Sequence, residues 1–244
     1  LGTYGDFVMQ TENVVGEIQS ALSRINADQN TMIIFTSDNG CSKAAGIKEL
    51  AEKGHVVSAD LRGSKADLWD GGHRIPFIVK WPGKVKPGTK SEQLICLTDL
   101  FATMSDMLGQ KLPQNSAEDS VSFLPALNGK KIVSSRKGVI HHSISGHFAY
   151  RQGPWKLLLA KASGGWTSPN ERQAPAGSSV GQLYNMSTDL GEKMNLYKDK
   201  PEMVASLLAL LEKDIKRGRS TKGPKSKNDT NDIKIWKNGQ TKKK

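Results

Sequence analysis

The 244 residues carry a formal net charge of +11 and 36% hydrophobic side chains, enough for one large or two small packed cores. No apolar run approaches the roughly 20 residues that a membrane span needs. Two cysteines, Cys41 and Cys96, exclude a disulfide scaffold. Residues 216–244 hold eleven Lys/Arg against two Asp, so the rest of the chain is close to neutral. The basicity describes a tail, which argues against a specific nucleic-acid-binding domain.

The chain begins at Leu1 with no charged-then-apolar leader, as expected of a mature product or a fragment. Val8, Val15, Ile18, Leu22 and Ile25 recur at helical spacing and predict an amphipathic helix over 5–26. A polar loop leads into Met32-Ile33-Ile34-Phe35, a continuous apolar run of the kind buried on both faces in a parallel sheet. Helix then buried strand predicts an α/β sheet covered by helices, with ligands at the carboxyl ends of its strands. Asp38 and Asn39 would stand at such an end. Asn39-Gly40 is also a common hairpin signal. However, the following Cys-Ser-Lys-Ala-Ala-Gly neither alternates nor is apolar. Carboxylate and amide oxygens side by side suit a hard cation.

Residues 47–75 read mostly as loop. Pro76–Trp81 reads as a strand stopped by Pro82-Gly83. Thr98 can cap a helix whose apolar face would be Leu100, Phe101, Met104, Met107 and Leu108. Residues 111–135 form a polar connecting segment with one apolar knot, Val121–Leu127. Short strands are expected at Val139–Ile144, Phe148–Arg151, Trp155–Leu159 and Leu183–Met186. A helix follows over 199–217, with Gly218 as its stop. The division is thus 1–110, a connector over 111–135, a small α+β subdomain over 136–218, and a loosely held basic tail over 219–244.

Between the first two strands, the loop 54–76 concentrates His55, Arg62 and Lys65 among glycines that permit close backbone approach. Folded over Asp38 and Asn39, it would place fixed cations and a metal around one pocket. Sulfuryl and phosphoryl transfer need such pre-placed positive charge. The competing reading is a solvated loop whose cations pair with Asp60, Asp67 and Asp70.

Thr-Ser-Asp38-Asn39-Gly40, Leu-Arg62-Gly-Ser-Lys65, Asp70-Gly-Gly-His-Arg74-Ile-Pro76-Phe and Trp81-Pro-Gly, in this order, resemble the second half of the catalytic domain of formylglycine-dependent sulfatases. Arg151-Gln-Gly-Pro-Trp155-Lys-Leu and Leu183-Tyr-Asn-Met-Ser-Thr-Asp189-Leu-Gly-Glu192 resemble the C-terminal subdomain of that family. His73 and the Gly-Gly-Trp166 stretch are most similar to bacterial arylsulfatase-type members. The resemblance implies part of an alkaline-phosphatase-like α/β/α sandwich followed by a small antiparallel sheet and helix. It further implies that Asp38 and Asn39 are calcium ligands, that Lys65 contacts the sulfate group, and that His55 and Arg62 touch substrate. The substrate would be a sulfated small molecule or carbohydrate, and the location periplasmic or secreted. His73 and Arg74 would touch substrate or fix the loop. His141-His142 would line the substrate rim or point to opposite faces of a strand.

Two features depart from the family. Neither Cys41 nor Cys96, nor any serine, stands in the Cys/Ser-x-Pro/Ala-x-Arg motif from which formylglycine is made. Two calcium ligands also fall short of the six to eight oxygens that calcium takes. Both departures imply a fragment that would not turn over alone. Two alternatives stand beside the sulfatase reading. One is a phosphatase or phosphodiesterase of the same superfamily, which would be expected to use zinc and a histidine where Asn39 stands. The other is a polyanion-binding module using the basic tail.

Overall fold

The computed structural model describes residues 2–237. Helix α1 (Thr3–Arg24) carries the expected apolar stripe and leads through one tight turn to strand β1 (Ile33–Thr36). The strand does not enter a parallel ladder. It pairs antiparallel with β2 (Phe77–Lys80), Ile33 opposite Lys80 and Thr36 opposite Phe77. A continuous apolar run reports the capacity for burial, whereas strand direction is set by the connection, which here returns the chain beside its own start. Neither strand is covered on both faces: Phe35 is 36% exposed and Ile78, opposite it, 60%. Helix α1 buries none of its residues. An open groove of about 940 Å³, lined by Tyr4, Phe7, Val8, Phe35 and Ile78 among others, runs between the helix and the strand pair. The 40-residue return from Thr36 to Phe77 also excludes a tight Asn39-Gly40 hairpin.

Two short helices, α2 (Ile47–Glu52) and α3 (Asp70–His73), interrupt the intervening loop. Helix α4 (Asp99–Met107) forms where expected but turns its other face inward. Asp99, Ala102 and Thr103 are buried, while Phe101 and Leu108 are exposed. Polar bonding decides the orientation. Arg136 grips the Asp99 carboxylate with two nitrogens, at 2.6 and 2.8 Å. The backbone N–H of Val121 donates to Asp99 and that of Phe123 to the Thr103 hydroxyl. The connecting segment, including the short helix α5 (Leu124–Leu127), is thereby laid over this face.

The C-terminal part is a four-stranded antiparallel meander: β3 (Val139–His142), β4 (Phe148–Gln152), β5 (Trp155–Leu158) and β6 (Gln182–Asn185). Helix α6 (Pro201–Arg217) packs Val204, Leu207 and Leu211 against Tyr150, Leu157 and Leu183 on one face of this sheet. On the other face, Leu68 and Trp69 pack with Ala149, Leu158, Tyr184 and Met186. Residues of the loop between β1 and β2 therefore fill the core of the C-terminal sheet, and that core spans both parts of the chain.

Residues 219–237 are not a loose tail. Arg219 and Ser220 are buried. The Arg219 guanidinium donates to Gln114 O at 2.8 Å, and Ser220 N–H donates to the Asp119 carboxylate at 2.8 Å. Ile235 and Trp236 pack against the α6 core. The composition that suggested solvation hides side chains that satisfy backbone carbonyls of the connecting segment. Residues 238–244, the last stretch of the expected tail, lie outside the described residues.

Candidate active site

Three distant segments are stitched together by main-chain hydrogen bonds at the end of β1. Gly40 N–H donates to Gly72 O at 3.0 Å, Gly71 N–H to Arg62 O at 2.7 Å, and Lys65 N–H to Cys41 O at 2.9 Å. A Cβ on Gly40 would lie 1.7 Å from Gly71 O, and one on Gly71 would lie 2.3 Å from Gly63 O. Only glycine at both positions lets the 37–41 turn, the 62–67 loop and α3 touch backbone to backbone. The Ser37 hydroxyl, donating to Asn39 O at 2.8 Å, shapes the turn itself.

Within this knot the expected residues divide. Asp38 is exposed and Asn39 half-buried. Among the described residues, neither side chain forms a hydrogen bond or ion pair with the protein, so their oxygens are available. Lys65 is half-buried, and its ammonium likewise has no such partner among the described residues. The carboxylates nearby are engaged elsewhere. Asp67 accepts from Ser64 N–H at 2.8 Å and from Trp166 and Thr167 N–H, each at 2.9 Å. Asp70 binds Lys156 at 2.6 Å and Arg151 at 3.6 Å. The picture of a solvated loop neutralising its own charges does not hold for Asp67, Asp70 or Lys65.

Arg62 has a different set of partners. Its guanidinium lies 3.7 Å from the centroid of Trp69 and donates to Glu192 O at 2.7 Å. That cation braces the loop against the C-terminal subdomain. His55 sits beside Tyr4 of α1, ring centroids 5.4 Å apart, and its buried Nε2 lacks a hydrogen-bond partner among the described residues. Tyr4 also stands near Cys41: burial, then the Cys41 charge, raise its pKa. Arg74 is exposed. The His73 ring lies 4.3 Å from that of His141, while His142 faces Phe148 on the neighbouring strand.

Beneath the knot lies a buried brace that sequence reasoning missed. The Lys156 ammonium, fully enclosed, donates to Asp70 at 2.6 Å and to Glu192 at 2.8 Å, and Glu192 accepts Asp70 N–H at 2.6 Å. Burial pushes the Asp70 carboxyl up, but the charge and hydrogen bond of Lys156 outweigh it and leave its pKa lowered. For Glu192 burial prevails over Lys156, and its pKa is raised. The one available signal was a lone lysine inside the apolar run Trp155-Lys-Leu-Leu-Leu159. Nearby, burial and then the Lys156 charge depress the His73 pKa to about 4, and burial and His73 hold that of His141 well below its usual value. Both imidazoles are therefore neutral at pH 7.

The Lys65 N–H to Cys41 O bond brings the backbone of a lysine, whose ammonium has no partner among the described residues, to the turn that carries the Asp38 and Asn39 oxygens. An ammonium and hard oxygen donors are the groups that suit a tetrahedral anion held against a hard cation. Among the described residues, no group of three or more His, Cys, Asp or Glu is placed to hold a metal. The Asp38 and Asn39 oxygens fit calcium as two of its ligands and leave the others to be supplied from elsewhere.

A family model described as sulfatase matches residues 1–110, and one described as N-sulphoglucosamine sulphohydrolase, C-terminal, matches residues 64–162. The chain is 38% identical over 221 residues to an N-acetylgalactosamine-6-O-sulfatase of Bacteroides thetaiotaomicron, covering 87% of this chain and 42% of that protein. A solved structure concerned with glycosaminoglycan metabolism in the same organism superposes with a TM-score of 0.72 at 34% identity, over 86% of this chain and 44% of that one. A second, holding D-glucosamine-2-N,6-O-disulfate, shares the fold at 22% identity and a TM-score of 0.61, over 84% of this chain and 38% of that one. The chain thus spans less than half the length of these relatives. The fold is the α/β arrangement of alkaline-phosphatase-like sulfatases, and the chain belongs to the sulfatase family.

Proposed function

We propose that this chain is part of a calcium-dependent sulfuric ester hydrolase acting on sulfated carbohydrate, with Asp38 and Asn39 ligating the metal and Lys65 binding the sulfate. The observation that carries the reading is the Lys65 N–H to Cys41 O hydrogen bond. It ties the root of a lysine that has no side-chain partner among the described residues to the turn that carries the Asp38 and Asn39 oxygens. Carbohydrate is favoured over other esters because a relative matched over 221 residues is named as an N-acetylgalactosamine-6-O-sulfatase.

No Cys/Ser-x-Pro/Ala-x-Arg motif stands in these 244 residues, so in this reading a formylglycine, which would supply the attacking oxygen, and the remaining calcium ligands would come from outside them. The chain alone is therefore expected to be inactive. What these residues contribute is electrostatic. Lys65 holds a non-bridging sulfate oxygen and offsets charge as the ester bond to sulfur breaks. Asp38 and Asn39 would hold the cation, which would supply further positive charge to the same group. Arg62 positions the Lys65 loop through Trp69 and Glu192, and His55 lies on the α1 side of the turn. Family membership favours an exported enzyme. No helix among the described residues is long and apolar enough to cross a membrane.

The test uses the full-length protein with a 6-O-sulfated hexosamine, with and without calcium chelation. Lys65→Ala should lower kcat by about 10²–10³, the usual effect of removing one stabilising donor. Chelation should abolish turnover. Full activity in Lys65→Ala or Asp38→Ala would show the roles to be wrong, and preferential turnover of the matching phosphate ester would move the enzyme to the phosphatase branch.

A further inference from the structure

The loop 163–171 crosses from the C-terminal sheet to the candidate site and is held there by unusually complete bonding. The Asp67 carboxylate accepts both Trp166 and Thr167 N–H. The Lys43 ammonium donates to Trp166 O, and the hydroxyls of Ser64 and Thr167 lie 3.1 Å apart. From below, the Glu171 carboxylate accepts Lys161, Ala162 and Gly164 N–H. A Cβ on Gly165 would lie 2.3 Å from Ala66 O, so the loop rests directly on the residue after Lys65. On this fixed frame the Trp166 side chain is 48% exposed. A large ring kept partly in water on a rigid support, on a loop whose backbone rests on the residue after Lys65, is pre-organised to receive a flat apolar surface.

We propose that Trp166 is a specificity-determining residue whose indole stacks on a pyranose ring of the sulfated substrate while Lys65 takes the sulfate. A pyranose presents C–H groups on one face and hydroxyls at its edge. An exposed indole matches the former without competing for the latter. The inference rests on the sulfatase reading and adds to it the part of the substrate that this chain recognises. Asp67 and Lys43 act as positioning residues for the loop.

The experiment uses the full-length enzyme, its Trp166→Ala and Trp166→Phe variants, and Lys65→Ala. It measures turnover of a 6-O-sulfated hexosamine saccharide and competitive inhibition by inorganic sulfate, which has no ring to stack. Trp166→Ala should raise KM for the saccharide about tenfold, leave kcat nearly unchanged and leave the inhibition constant of sulfate unaltered. Trp166→Phe should restore most of the loss. Lys65→Ala should weaken sulfate itself. Unchanged KM in Trp166→Ala, or a parallel rise in the sulfate inhibition constant, would overturn the role of the ring while leaving the sulfatase reading intact. A wild-type enzyme that neither cleaves the sulfate ester nor is inhibited by sulfate would overturn both.

Discussion

Replacing Lys156 by Met would test whether the buried brace holds the site to its support. The ammonium is completely enclosed and bonds two carboxylates at 2.6 and 2.8 Å, one fully and one almost fully buried. Met fills similar volume but removes the cation between two neighbouring carboxylates, leaving Glu192 without its ion pair and Asp70 with only Arg151 at 3.6 Å. Breaking a buried pair in this way costs roughly 3–5 kcal/mol, or about 6–20 °C in Tm for a chain of this size. Proton uptake limits the damage. Glu192 already has a raised pKa, and without Lys156 it should be protonated at higher pH still. The deficit should therefore be largest near pH 8 and shrink toward pH 5, where one carboxyl becomes neutral. Thermal unfolding followed by circular dichroism at the two pH values measures this. Adding Glu192→Gln to Lys156→Met should recover part of the loss at pH 8. A Tm within about 2 °C of wild type at pH 8, or a deficit that does not depend on pH, would refute the reasoning.

Gly40→Ala should separate the turn from α3, because the added Cβ meets a main-chain oxygen that no rotamer change can move. We expect calcium affinity and turnover of the full-length enzyme to fall by more than about tenfold, as measured by calorimetry and a sulfate-ester assay. His73 is held near pKa 4, against about 6.5 when unfolded. A depressed pKa means that its contribution to stability is intact above about pH 6.5 and is lost as pH falls toward 4, by roughly 3 kcal/mol. His73→Gln should flatten that part of the Tm-against-pH curve. Deleting residues 219–244 should destabilise the protein by about 2–3 kcal/mol through loss of Trp236 and Ile235 burial. An unchanged melting curve would show that this segment contributes nothing.

The sequence is most legible where one periodicity governs a whole element. The 3.6-residue stripes of α1 and α6 and the turn-punctuated runs of β3–β6 correspond to elements that form. It is less legible where polar bonding overrides hydrophobic pattern. Helix α4 has an apolar face, yet the Asp99–Arg136 pair turns the opposite face inward. The basic stretch after Gly218 looks solvated by composition, but Arg219 finds a carbonyl acceptor 105 residues away. The run Met32–Phe35 marks a strand but carries no information about the direction of its partner. At the site, motif order singles out Asp38, Asn39 and Lys65 as candidates. The brace through Lys156 and Glu192 is not singled out, because its members are scattered through the chain and only the fold brings them together. Arg62 illustrates the same limit: a cation in a functional loop looks like a ligand contact until Trp69 is seen beneath it.

The most direct test is a crystal structure of the full-length protein with calcium and inorganic sulfate. Calcium should lie about 2.3–2.6 Å from oxygens of both Asp38 and Asn39, and the Lys65 ammonium should donate to a sulfate oxygen on the same anion. Calcium bound away from the 37–41 turn, or Lys65 directed into solvent with sulfate bound elsewhere, would contradict the account.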